Sequence, residues 1–263
     1  MVRSENWIVQ SSQRIATAGE ITVVFIPKVT GNAFFESANE GAQRFAERIG
    51  FSVEYTGSPE ASVDRQRAII SNSIKRQVSA ICISSLDATA LDDDLKAAMA
   101  AGVKVTTWDS DVSGDARTLM VSQGTPDVLG KMLVDMAVKS LTSRGINPDK
   151  DKVRYVWHYS RANVADQNSW RDAGETYIKG AYPNWTNVKP ENYYSDQDPK
   201  KALQVGEEIL ADHPDIDVPG IGTVTVYPNS ILDPDAYTAE DSGVVLLPER
   251  VEFTLANMDK YDF

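Results

Sequence analysis

From Ile21 onward, short apolar runs and helical stripes alternate along the chain. Residues 21–26 form a largely apolar run, the pattern of a strand covered on both faces. Phe34, Ala38, Ala42, Phe45 and Ile49 then recur at spacings of four and three residues, which predicts a helix turning that stripe inward. Gly50 stands where a left-handed carboxyl-terminal cap is wanted. A short strand follows at residues 52–55, and Ser62 is placed to cap a helix with Val63, Ile70 and Ile74 inward and Ile69 alongside. The apolar run 80–84 predicts the next strand. Leu91, Leu95, Ala98 and Met99 form the inward face of a third helix, Gly102 its cap, and residues 103–108 and 118–122 the strands after it.

Strands alternating with helices of this length predict a parallel sheet with right-handed crossovers and helices on both faces, a doubly wound α/β lobe over residues 21–123. Gln123-Gly124-Thr125-Pro126 breaks the rhythm. Thr125 is placed to cap, and Pro126 to start, a helix carrying Leu129, Met132, Leu133, Met136 and Leu141, and the break reads as a crossing between lobes. Beyond a polar turn at 145–151, strands at 153–159 and 188–194 alternate with helices near 167–179 and 199–211. A second lobe is therefore expected over residues 124–217, and, because two parallel strands make a poor sheet core, either the tail completes its sheet or the lobe is incomplete and lacks strands. Residues 218–263 read as a carboxyl-terminal tail, with alternation at 223–226 and an apolar run at 244–248 but no further strand-and-helix unit. Residues 1–20 form an amino-terminal extension.

Composition narrows the class of partner. The 263 residues are 42% hydrophobic and 24% charged, the make-up of a globular chain with a real core. Lys and Arg number 26 against 38 Asp and Glu, a net charge of −12, so nucleic acid and anionic lipid are repelled at long range and neutral molecules or proteins are the expected partners. The lone cysteine, Cys82, lies in an apolar run and reads as a buried structural thiol. No stretch approaches the ~18 continuous apolar residues of a membrane helix, and residues 1–20 lack the apolar block of a secretion signal.

Ligands of open parallel sheets bind beyond the carboxyl ends of the strands, where the loops diverge. That rule selects Lys28, Asn32, Phe34 and Phe35 after the first strand, and Ser84 and Ser85 after the third. It selects Trp108, Asp109 and Asp111 after the fourth, and Asn163, Asp166, Gln167, Asn168 and Trp170 after Tyr159. Carboxylates, one ammonium, amides and rings together suit a small neutral polyol, whose hydroxyls both donate and accept while its apolar faces lie against aromatic surfaces. Each residue also has a plainer role open to it. Lys28 can be a solvated loop lysine, Asp109 can have a structural partner, and Asp166 and Gln167 can cap a helix. Phe34, Trp108 and Trp170, the candidates for stacking, can belong to the core. Catalytic and metal constellations are not expected. The histidines are His158, in an apolar strand, and His213, in a polar turn, and Asp92-Asp93-Asp94 reads as a helix amino-terminal turn rather than a calcium loop. Neither a G-x-S-x-G elbow nor a G-x-x-x-x-G-K-[ST] loop occurs.

The segments FIPKVTGNAFFESANEGAQ, VTTWDSDV, VSQGTPDVLGKMLVDMA, ADQNSW, GVVLLPERVEF and NMDKYDF resemble the autoinducer-2-binding proteins, periplasmic receptors of bacterial ABC importers in the type I sugar-binding class. The likeness runs from about Ile21 to Asp217 and again through the tail. It implies two doubly wound parallel-sheet lobes, the type I periplasmic binding protein fold, hinged to close on the hydrated furanose form of autoinducer-2 and to present it to a membrane permease, without a cofactor. It also implies ligand-binding roles for Lys28, Asp109, Asp166 and Gln167. The carboxylates would accept from vicinal hydroxyls, Lys28 would donate to an oxygen, and Gln167 would do either. The family continues past the helix ending near Ala211 with more second-lobe strands and a ligand-touching loop. Here Ile216-Asp217 runs almost directly into the tail, so an internal segment is expected to be deleted after about Asp217. Another reading stays open from the residues alone: an aldolase-like enzyme in which Lys28 forms a Schiff base and Asp109 acts as general acid or base.

Overall fold

The computed structural model describes residues 21–222, 238–239 and 244–246. Two sheets organise them. In the first, β1 (Thr22–Ile26), β2 (Ser52–Tyr55), β3 (Ala80–Ile83), β4 (Lys104–Trp108) and β5 (Leu119–Ser122) run parallel in the order β2-β1-β3-β4-β5. Successive side chains of a strand alternate between faces, and the two cores follow that alternation. Val24, Ile26, Ile81, Ile83 and Val105 pack with Ile70 of α2 (Val63–Lys75) and with Leu95 and Ala98 of α3 (Asp92–Ala100). Phe25, Cys82 and Trp108 face Phe35, Ala38 and Ala42 of α1 (Ala33–Ile49) on the opposite side. Chain order reverses between β1 and β3, and at such a switch point the loops beyond the strand ends part to leave a crevice.

The expected caps form at several ends. Gly50 has φ 83° and donates its N–H to Ala46 O, and the Ser62 side chain accepts from Arg65 N. Thr125 stands at the amino-terminal cap of α4 (Pro126–Ser143), but its side chain makes no capping bond. The inward stripe of α1 is rotated from the expected one: Phe35 and Ala46 are buried, whereas Phe45 and Ile49 are 46% and 53% exposed. Phe35 sets the phase by packing edge-on against Trp108, with ring centroids 5.8 Å apart.

In the second sheet, α4 and α5 (Ala165–Ala181) cover one face of the central β6 (Val153–Tyr159), while α6 (Pro199–Asp212) covers the other through Val205 and Ile209. α4 and α5 meet at glycines. A Cβ added at Gly130 would lie 2.5 Å from Trp170 O, and one at Gly174 would lie 2.6 Å from Trp157 Cη2.

Two expectations need correction here. The strand expected at 188–194 is broken into β7 (Trp185–Asn187), paired with Val153, Arg154 and Tyr155, and β8 (Tyr193–Tyr194), paired with His158 and Tyr159. Pro190, which has no amide donor, and Asn192, at φ 63°, turn the chain between them. Residues 218–222, expected in the tail, form β9 (Val218–Gly222) on the opposite edge of β6, so the second sheet extends beyond Asp217. The tail also supplies strands to the first sheet. β11 (Val244–Leu246) runs parallel to β5 and β10 (Thr238–Ala239) antiparallel to β11, completing a seven-stranded sheet. The alternation at 223–226 lies outside the described residues.

Candidate functional site

Lys28 follows Pro27 beyond the end of β1 and is only 2% exposed. Its Nζ stands 3.0 Å from Asp109 Oδ2 and 3.8 Å from Asp166 Oδ1. Asp109 directly follows β4 at φ 60°, a left-handed conformation that Asp tolerates better than most residues. Ser84 Oγ, beyond β3, donates to Asp109 Oδ2 at 2.6 Å, and Gln123 Nε2, where the chain leaves the first lobe, donates to Oδ1 at 2.8 Å. Asp166 belongs to the first turn of α5, where the helix dipole favours a carboxylate, and its Oδ1 accepts from Ser110 Oγ. An ion pair and a hydrogen bond thus bridge the two lobes. The other oxygen of Asp166, Oδ2, is buried with no hydrogen-bond partner among the described residues, as is the indole Nε1 of Trp108.

The electrostatics follow from one cation between two carboxylates. Burial lowers the affinity of Lys28 for its proton, but Asp109 and Asp166 more than offset this and hold its pKa above the ordinary value. Burial pushes Asp166 up to about 6 against the pull of Lys28, and Asp109 adds to the rise. A Schiff-base lysine needs a depressed pKa to present a neutral amine. Lys28 is shifted the other way, which counts against the aldolase-like reading. With both carboxylates ionised the cluster is net negative, and it suits a partner that brings hydroxyl donors.

The remaining sequence-selected residues divide. Gln167 Oε1 accepts from Ser160 N at 2.9 Å and from Ser160 Oγ at 2.6 Å, which leaves the NH₂ end as a donor. Trp108 lies between Phe25 (4.7 Å, interplanar 11°) and Phe34 (6.1 Å, 28°), so these rings form one block on the α1 side of the sheet. Trp170 is buried in the second-lobe core with Leu129 and Leu133. Asp111 is taken by structure: Arg117 donates from Nε to Oδ1 at 2.7 Å and from Nη2 to Oδ2 at 2.8 Å. Cys82, its thiol pushed up to about 12 by burial, is inert near neutral pH.

Sequence reasoning missed Gln66, Ser110 and Gln123. Gln66 is 3% exposed, and its Nε2 donates to Pro27 O (3.1 Å) and Ser84 O (2.8 Å) while its Oε1 accepts from Leu86 N (3.1 Å). It ties together the loops that carry Lys28 and Ser84. The available signal was an amide between Val63 and Ile70, on a helix face that otherwise reads apolar. At the rim, a cavity of 620 Å³ is lined by Asn32, Glu60 and Ala61 from the first lobe and Arg161, Asp196 and Lys201 from the second. Among the described residues no cluster of His, Cys, Asp and Glu could hold a metal ion.

The chain as a whole is similar to known proteins. The family model for the periplasmic binding protein domain matches residues 23–227. The structure of LsrB from Clostridium saccharobutylicum in complex with AI-2 is 42% identical, over 92% of this chain and 100% of that one, with a TM-score of 0.82. An ABC transporter solute-binding protein from Clostridium phytofermentas with bound L-rhamnose is 23% identical over 76% of this chain and 60% of its own, with a TM-score of 0.67. One from Burkholderia graminis in complex with D-arabinose is 24% identical over 77% and 65%, with a TM-score of 0.66. The last two carry the likeness of fold alone.

Proposed function

Since the chain belongs to the periplasmic binding protein family, we propose that it is the solute receptor of a bacterial ABC importer, acting in the periplasm, that closes on autoinducer-2 or a related small furanose and presents it to a membrane permease. It binds its solute and does not convert it. The observation that carries this reading is the meeting of Lys28 and Asp109 from one lobe with Asp166 from the other, where Asp166 Oδ2 is buried and unpaired. A buried carboxylate oxygen without a donor is costly, and a ligand hydroxyl is the donor it wants.

In the mechanism proposed, vicinal hydroxyls of the ligand donate to Asp109 and Asp166, Lys28 donates to a ring or hydroxyl oxygen, and the NH₂ of Gln167 donates to another. Ser84 and Gln123 hold the Asp109 carboxylate in place before the ligand arrives. The block of Phe34 and Trp108 supplies an apolar wall beside this polar cluster. Because the ligand's bonds come from both lobes, only the closed arrangement satisfies all of them, and binding shifts the population toward closure. The 42% identity to a protein whose structure holds AI-2 supports the choice of ligand. Among the described residues no helix is long and apolar enough to cross a membrane.

Calorimetric titration with AI-2 beside ribose and rhamnose tests this. Saturable heat is expected with AI-2, and most of the affinity should be lost in Asp166→Ala. No heat with any of the three sugars, from a folded sample, overturns the reading.

A further inference from the structure

We infer that Asp87 and Asn163 form a latch at the rim of the cleft that holds the lobes together independently of the ligand. Asp87 stands in the loop after β3, where its Oδ1 accepts from Thr89 N at 3.0 Å and Ala90 N at 2.9 Å. Ser85 Oγ donates to its carbonyl at 2.7 Å. These bonds immobilise the carboxylate on its own lobe and leave Oδ2 facing outward. Across the cleft, Asn163 Nδ2, in the loop between β6 and α5, donates to that oxygen at 2.6 Å. Arg161 of the same loop reaches the first lobe as well, its Nη1 donating to Ala61 O at 3.4 Å.

Neither Asp87 nor Asn163 belongs to the Lys28, Asp109 and Asp166 cluster, and Asn163 is exposed where that cluster is buried. The Asp87 carboxylate is already organised by backbone donors, so little ordering is lost when the lobes meet. The bond exists only when they are together, and it therefore biases the open-closed equilibrium in the closed direction. Since apparent affinity scales with the fraction of molecules competent to bind, the latch also tunes ligand affinity without touching the ligand. Burial tends to raise the pKa of Asp87, but the two backbone donors, Asn163 and Arg161 outweigh it and hold the carboxyl below its ordinary range. Asp87 therefore stays ionised while Asp166 titrates.

This inference rests on hinge closure but not on the identity of the solute, so its test is read first in the ligand-free protein. Spin labels are placed at Lys75→Cys and Lys179→Cys in a Cys82→Ala background. Both lysines are exposed and lie toward the carboxyl ends of α2 and α5, away from the cleft. The interlobe distance distribution is compared for the parent, for Asn163→Asp, which sets two carboxylates face to face, and for the exchanged pair Asp87→Asn with Asn163→Asp, which restores one amide against one carboxylate. A hydrogen bond to a charged group has a magnitude that predicts a closed population about tenfold lower in Asn163→Asp. The exchanged pair should recover it to within about twofold, and AI-2 affinity should follow the same order. Identical distance distributions in all three proteins overturn the latch. So does an exchanged pair that stays open while its thermal unfolding midpoint equals the parent's. If AI-2 fails to bind the parent, the proposed ligand is wrong, and the ligand-free distances still decide the latch.

Discussion

Replacing Asp166 with Asn removes a buried carboxyl whose ionisation the fold opposes. The side chain is 8% exposed and its pKa is pushed up to about 6. An unfolded-chain aspartate titrates near ~3.9, so the difference of about two pH units corresponds to about 3 kcal/mol between the two protonation states. A folded pKa raised in this way contributes stability that is fully present below about pH 4 and lost as pH rises through about 6. Between pH 7.5 and pH 5.0, linkage assigns about 1.4 kcal/mol of added native stability to this one group on acidification. The amide introduced by Asp166→Asn cannot titrate, and the variant leaves Lys28 its nearer partner, Asp109, at 3.0 Å. Urea unfolding of the ligand-free parent and of Asp166→Asn at pH 5.0, 6.0 and 7.5 checks the reasoning. The stability of the parent minus that of the variant should rise by about 1.4 kcal/mol as pH falls from 7.5 to 5.0. A difference that stays flat, or that falls with acidification, refutes the claim that burial dominates at Asp166.

Other outcomes follow from the same geometry. Asp109→Asn keeps a residue that tolerates φ 60° but leaves Lys28 facing an amide, and urea unfolding should show a loss of about 3 kcal/mol together with loss of AI-2 binding. Gln66→Ala strands two buried carbonyls and one buried N–H, so it should lower stability by about 3 kcal/mol and weaken ligand binding severalfold, read by thermal unfolding and calorimetry on the same samples. Gly130→Ala places a methyl 2.5 Å from Trp170 O, and because that contact is backbone the helices must separate. A loss of about 1–3 kcal/mol in chemical denaturation is expected, and an unchanged midpoint would contradict the close approach of α4 and α5.

The strand-end rule brought Lys28, Asp109 and Asp166 forward from position alone, and these three groups meet. The same rule also selected Asp111, which Arg117 holds in a bidentate pair, and Trp170, which packs in a core. Position beyond a strand says that a side chain can reach the crevice, not whether another group claims it first. Gln66 was passed over because helical periodicity records which face of α2 is buried, but not that one member of that face serves backbone groups of two loops.

Local chemistry was enough to mark the alternation of strands and helices, the helix ends at Gly50 and Ser62, and β6 at the bounds its apolar run predicts, because periodicity and capping depend on residues within a turn or two of each other. The phase of α1, the placement of residues 218–222 beside β6, and the return of residues 244–246 to β5 were settled only by tertiary packing. A strand carries the same donors and acceptors whichever edge it joins. Its partner is decided by which edges and apolar faces the rest of the fold leaves uncovered, and that is a property of the assembled chain.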